Sequence, residues 1–181
     1  MAKLVLLAQA ADLVVIGQVN GSAGPVPAWY RPEEIVINCG RPVLMIPYIG
    51  SFPRVGRRVL IAWDGSREAA RALNDAVPII RSARMVTLMA VRPHSREFQR
   101  DRVPMRCIVQ HLERHGITAH PEETLQGENS IADVLLSRAA DLSVDMIVAG
   151  AYHRSPLREA LIGGVSRTLF QRMTVPVLMA H

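Results

Sequence analysis

The sequence predicts an α/β fold: a doubly wound, five-stranded parallel sheet of the Rossmann-like kind, preceded by a partial second copy of its own last strands. Three observations predict it. From Arg58 onward, short apolar runs alternate with helical patterns, which builds a parallel sheet covered on both faces. Two turns, Asp64-Gly65-Ser66 and the loop after Gly150, each follow the end of such a run, where open α/β sheets bind ligands. The N-terminal stretch also repeats the C-terminal one: ADLVVIG at 11–17 matches VDMIVAG at 144–150, and PVLMIPY at 42–48 matches PVLMAH at 176–181.

The chain opens with MAKLVLLAQAADLVV, one lysine and a short apolar run, but Asp12 interrupts it and argues against a signal peptide. Residues 11–17 read as a strand ending at Gly17, and the Gly-, Pro- and Asn-rich 18–31 as a loop. A short helix over 32–38 has Pro32 in its first turn and Glu33 and Glu34 at its positive end. Residues 42–49 form a strand and 50–57 a linker. The apolar 58–63 is the next strand, and Ser66 caps a helix over 67–80 with Ala69, Ala70, Leu73, Ala76 and Val77 on one face. A strand at 85–91 is followed by a charged loop over 94–104. A helix over 105–115, with Cys107, Ile108 and Leu112 inward, ends at Gly116; a short strand is expected at 117–120. Glu122 and Glu123 are expected to stand solvated before the next helix. Asn129 or Ser130 caps that helix, over 131–142, with Asp133 in a capping-box-like position. A strand at 146–149, a helix over 157–172 and a final strand at 175–180 complete the chain.

Composition narrows the function classes. A length of 181 residues suits one large domain, or one domain plus part of another. Hydrophobic residues make up 49% and aromatic ones 4%, so the core is aliphatic. No apolar run is long enough to span a bilayer. The net charge of +5 suggests nucleic acid, but the basic residues are spread along the chain and no aromatics interleave with the Arg54, Arg57, Arg58 cluster. Specific nucleic-acid binding and a membrane are therefore not expected. Cys39 and Cys107 match no metal spacing and are expected as buried free thiols. The histidines are scattered, no nucleophile–base pairing is visible, and no catalytic residue or metal ligand is assigned.

The richest stretch is 145–166, DMIVAGAYHRSPLREALIGGVS. A strand running into a glycine-punctuated loop presents backbone N–H groups that no side chain covers, and such loops cradle phosphates. The plainer alternative is that Gly150 turns the chain and Gly163-Gly164 links two elements. Asp64 likewise either caps its helix or contacts a ligand. His153 is either an exposed loop residue or, when protonated, a phosphate donor.

On these residues the chain resembles the universal stress protein family. Residues 58–181 look like a complete domain of that family, 51–57 like a linker, and 1–50 like the last strands of another copy whose front is missing: a tandem-domain bacterial arrangement. The family's hallmark is G-x2-G-x9-G-[S/T]. Gly150 matches the first glycine and Gly163 the third; His153 stands at the second glycine and Gly164 at the Ser/Thr, with Val165 and Ser166 following. The family's aspartate at the end of its first strand is matched by Asp64, after Ala62 and Trp63, and Val91 stands where the family contacts adenine.

The resemblance implies a cytoplasmic stress-response regulator. It would bind ATP or another adenine nucleotide (ADP or AMP), with or without magnesium, and be at most a slow ATPase. The alternative reading is a dimerisation or interaction module without a nucleotide. The resemblance also implies antiparallel pairing of the final strands. Within one chain that would join the two repeat ends; a homodimer through these strands is the expected oligomer, with residues 13–16 partly exposed.

Overall fold

The structure, a computed structural model, describes residues 2–19, 27, 30–92, 103–151 and 164–181. The elements run α1 (Ala2–Ala8), β1 (Val14–Gly17), α2 (Pro32–Asn38), β2 (Val43–Ile46), β3 (Arg58–Ala62), α3 (Arg67–Ile80), β4 (Met85–Arg92), α4 (Met105–Arg114), β5 (Ala119–Leu125), α5 (Ile131–Asp141), β6 (Met146–Gly150), α6 (described as Gly164–Arg172) and β7 (Val177–Ala180).

All strands join one seven-stranded sheet, in the order β1-β2-β7-β6-β3-β4-β5. The expected five-stranded parallel sheet is present as β7-β6-β3-β4-β5. It is part of a larger mixed sheet, because β2 adds to β7 antiparallel, with Leu44 opposite Leu178, and β1 adds to β2 in parallel. The repeat ends thus meet within one chain. Since β7 is flanked by β6 and β2, it has no free edge for the expected homodimer contact.

Successive side chains point to opposite faces, and the core has two layers accordingly. On β6, Met146 and Val148 face α3 and α4, while Ile147 and Ala149 face α1, α2, α5 and α6. The helix caps form as their sequences dictate. Ser66 Oγ accepts from the Ala69 N–H at 3.0 Å, and Ser130 Oγ accepts from the Asp133 N–H at 3.1 Å while donating to the Asp133 carboxylate. Cys39 is buried as expected; Cys107 is only half-buried.

One stretch that the sequence left without an element gains one, and one strand expectation is corrected. Residues 2–8 are a helix, α1, whose Leu6 and Leu7 are exposed. The strand expected at 117–120 runs instead from Ala119 to Leu125 and contains Pro121, Glu122 and Glu123. It is an edge strand with outward-facing side chains, and an edge tolerates proline and charge that a central strand would not. The two glutamates remain accessible to solvent, as expected, each in an ion pair: Glu122 with Arg138 and Glu123 with Arg92.

The turn before β3 is held by one carboxylate. Asp145 Oδ1 accepts from the N–H groups of Gly56, Arg57 and Arg58 at 3.0, 2.9 and 3.0 Å. Gly56 has a φ of +84°, which glycine adopts without strain and which helps aim consecutive N–H groups at one oxygen. Arg58 returns the contact: its Nε donates at 2.9 Å to the carbonyl of Leu142, just past the end of α5. Replacing Asp145 with Ala strands three N–H groups at a half-buried site. Asp145→Ala is expected to cost about 3 kcal/mol, the scale of hydrogen bonds to a charged group, and Asp145→Asn less. Urea unfolding measures this; an unchanged midpoint for Asp145→Ala would show that the clamp contributes nothing.

Candidate functional site

Strand order reverses between β3 and β6, and the crevice at their carboxyl ends is where an open α/β sheet has room for a ligand. A cavity of about 160 Å³ lies there. One water needs roughly 10–15 Å³ on this measure, so the cavity suits a small organic group rather than a lone ion.

Each wall follows from local structure. β3 delivers Ala62, then Trp63, whose backbone N–H donates to the Met89 carbonyl at 2.8 Å, and then Asp64. The Asp64 carboxylate accepts from the Ser66 N–H at 2.9 Å, an Asx turn that starts α3 and holds the acid at the crevice rim, exposed to solvent. β4 contributes Met89 and Val91, two residues apart and so on one face. α5 adds Ile131 and Leu135, one turn apart. β6 ends in Ala149 and Gly150, and α6 contributes Gly164, Val165 and Ser166.

The cavity is thus apolar on the sides given by β4 and α5. An exposed carboxylate stands at one rim and peptide groups of α6 at another. Beside it Glu68, buried in the first turn of α3, accepts from Arg67 Nε at 2.6 Å, and this bond holds the Arg67 guanidinium above its ordinary pKa.

Of the residues singled out in the sequence, Ala62, Trp63, Asp64, Val91, Gly150, Gly164, Val165 and Ser166 line this one cavity. His153 and Gly163 lie outside the described residues. Trp63 is buried in the α3–α4 core, and Ser166 is buried at the cavity wall. Sequence reading missed Met89, Ile131, Leu135 and Ala149. They carry no polar signature, but the first three were within reach of periodicity: Met89 is two back from Val91, and Ile131 and Leu135 follow the Ser130 cap at helical spacing.

Gly150 has a packing role of its own. A Cβ built there would sit 2.5 Å from the Ala69 nitrogen and 2.7 Å from the Glu68 carbonyl carbon. The first turn of α3 therefore lies directly on the end of β6, and only glycine admits it. Among the described residues, no group of three or more His, Cys, Asp or Glu side chains could hold a metal ion, and no helix is long and apolar enough to cross a membrane.

Comparison with known proteins gives a consistent result. Residues 56–181 match the model of the universal stress protein family. No curated protein matches the chain. Among solved structures, a universal stress protein from Archaeoglobus fulgidus DSM 4304 is similar at a TM-score of 0.75 and 16% identity; the match covers 99% of this chain and 65% of that one. A putative universal stress protein from Pseudomonas aeruginosa UCBPP-PA14 is similar at 0.61 and 19% identity, over 97% of this chain and 66% of that one. The chain thus spans just under two thirds of the length of both. A shorter universal stress protein from Lactobacillus plantarum, at 0.56 and 16% identity, is covered over 99% of its length by 71% of this chain.

Substituting Gly150 tests the packing role directly. Gly150→Ala forces backbone apart rather than a flexible side chain, and is expected to lower stability by about 1–3 kcal/mol with no ligand present. Thermal unfolding of the apo protein measures it; an unaltered midpoint would mean that α3 does not lie against the end of β6.

Proposed function

The chain belongs to the universal stress protein family, and from that premise we propose that it binds an adenine nucleotide in the crevice at the ends of β3, β4 and β6. The observation that supports this most is convergence. Asp64, Val91, Gly150 and the start of α6 are far apart in sequence, were singled out for one ligand, and line one cavity of the size of a small organic group. The residues present fit such a ligand. Val91, Met89, Ile131 and Leu135 offer an apolar slot suited to a flat base. Asp64 offers an acceptor to ribose hydroxyls or to an exocyclic amine. Gly164 and Val165, at the opposite wall, bring backbone without bulky polar side chains to the side where the phosphates would lie.

Gly164 supplies no hydroxyl where the hallmark has one, so on this reading the backbone carries more of the phosphate contact and Ser166 is the nearest hydroxyl in sequence. On this reading the protein is a regulatory binding module rather than a fast enzyme. Residues 1–50 act with it as a partial repeat that extends the sheet.

Isothermal titration with ATP, ADP and AMP tests the reading. Saturable binding is expected for at least one of them. Val91→Trp, which fills the base slot, should abolish it, and Asp64→Ala should weaken it by about tenfold, or about 1.4 kcal/mol. Binding that neither variant alters would put the ligand elsewhere. No binding of any of the three would favour the nucleotide-free interaction module.

A further inference from the structure

Two histidines meet at the C-terminal end of α4. His111 and His115 stand four residues apart, a spacing that brings side chains together on one face of a helix. Both are half-buried, so solvent reaches them. Their ring centroids are 4.8 Å apart and their planes are inclined at 66°. Two imidazoles bound to one tetrahedral ion, with nitrogen–metal bonds of about 2 Å, place their centroids about 5 Å apart.

His111 is oriented from the neighbouring helix. Asn74 on α3 donates from Nδ2 to the Ala70 carbonyl at 2.8 Å. That bond uses the amide NH2 group and leaves Oδ1 for its other partner, His111 Nε2, at 3.0 Å. An amide oxygen only accepts, so in the neutral ring the proton sits on Nε2 and the lone pair on Nδ1. Metal-bound histidines are oriented in this way: one ring nitrogen donates to an oxygen, and the other ligates.

His115 is fixed through its backbone. The Gly116 N–H donates to the Glu113 carbonyl at 2.8 Å, and the Ile117 N–H to that of Leu112 at 3.0 Å. These two bonds make a Schellman cap, with Leu112 and Ile117 both buried beneath it. Both rings are therefore placed before any ligand arrives.

We propose that His111 and His115 form a two-imidazole site for a divalent transition ion of the zinc and copper class, with Asn74 as its positioning residue. His111 ligates through Nδ1. Imidazole nitrogen suits ions of this class, whereas magnesium and calcium take oxygen. Glu113 and Arg114, between the two histidines, cancel in charge. Cys107, one turn before His111, is too far to join: at 1.5 Å per residue it lies about 12 Å along the helix from His115. Among the described residues no group of three His, Cys, Asp or Glu side chains surrounds the site, so water or an outside donor completes the coordination. The proposal does not rest on nucleotide binding, and α4 supplies none of the residues that line the cavity.

Isothermal titration of the full chain, without an affinity tag, tests this with zinc chloride and magnesium chloride at neutral pH. Saturable one-to-one binding of zinc is expected, and none of magnesium. His111→Ala and His115→Ala should each weaken it by at least about tenfold. Asn74→Leu should weaken it by about tenfold, and Asn74→Asp, which keeps an acceptor, should preserve it. An Asn74–His111 bond that only ties α3 to α4 would give no zinc binding at all, and that result overturns the proposal. So does zinc binding that both histidine variants leave unchanged, and equal affinity in Asn74→Leu overturns the role given to Asn74. If a variant fails to fold, ring-nitrogen NMR of the unaltered chain decides: zinc should shift His111 Nδ1 and a ring nitrogen of His115, and shifts confined to other histidines would overturn the assignment.

Discussion

The carboxylate of Asp145, held by three successive N–H groups at the entry to β3, ties together two segments of chain 87 residues apart, Arg58 and Asp145 itself. Closing so long a loop is costly in chain entropy, and it must be offset locally for β3 and β6 to lie side by side. The rest of the molecule depends on that adjacency. It sets the point where strand order reverses, brings Asp64 and Gly150 to one cavity, and lets α3 start on top of the β6 end. The clamp is at the amino ends of the two strands and the cavity at their carboxyl ends, so the clamp and the cleft share one register and no residue.

The joint between β2 and β7 governs the other half. Only three residue pairs form it, Val43 with Met179, Leu44 with Leu178 and Met45 with Val177, but all six side chains are buried. Their alternation carries both core layers across the joint: Leu44 and Leu178 belong to the α3–α4 side, and the other four to the side of α1, α2, α5 and α6. An isolated two-stranded unit is marginal at best, and here the N-terminal strands share a core with the complete domain.

Much of this was legible in the sequence because several signals agreed. From Arg58 onward two of the helices, α3 and α5, have side-chain caps, Ser66 and Ser130, and the central strands are continuous apolar runs, as strands buried on both faces must be. The repeat marked the two matching strands, and the family resemblance implied that they would pair. What was not legible depended on tertiary context. Pro121-Glu122-Glu123 has a poor strand propensity, and only its place at the sheet edge, with Arg92 and Arg138 alongside, makes it a strand. The helix at Ala2–Ala8 has neither an acidic first turn nor a basic last one, and it buries only Ala8. At the cleft, the polar and glycine positions stood out, whereas Met89, Ile131, Leu135 and Ala149 read as ordinary core until the strands were assembled. The packing reason for Gly150 could not be read in sequence either, since it lies in the backbone of Glu68 and Ala69.

The central claim is that the crevice at the β3–β6 reversal is the ligand site of this domain. Amide hydrogen exchange with and without AMP tests it most directly, because it locates binding without altering any side chain. The account predicts slowed exchange confined to the ends of β3, β4 and β6 and the first turn of α6, with the β1–β2 end of the sheet unchanged. Slowing that falls mainly at β1 and β2, or none at nucleotide concentrations high enough to saturate the protein, would contradict it.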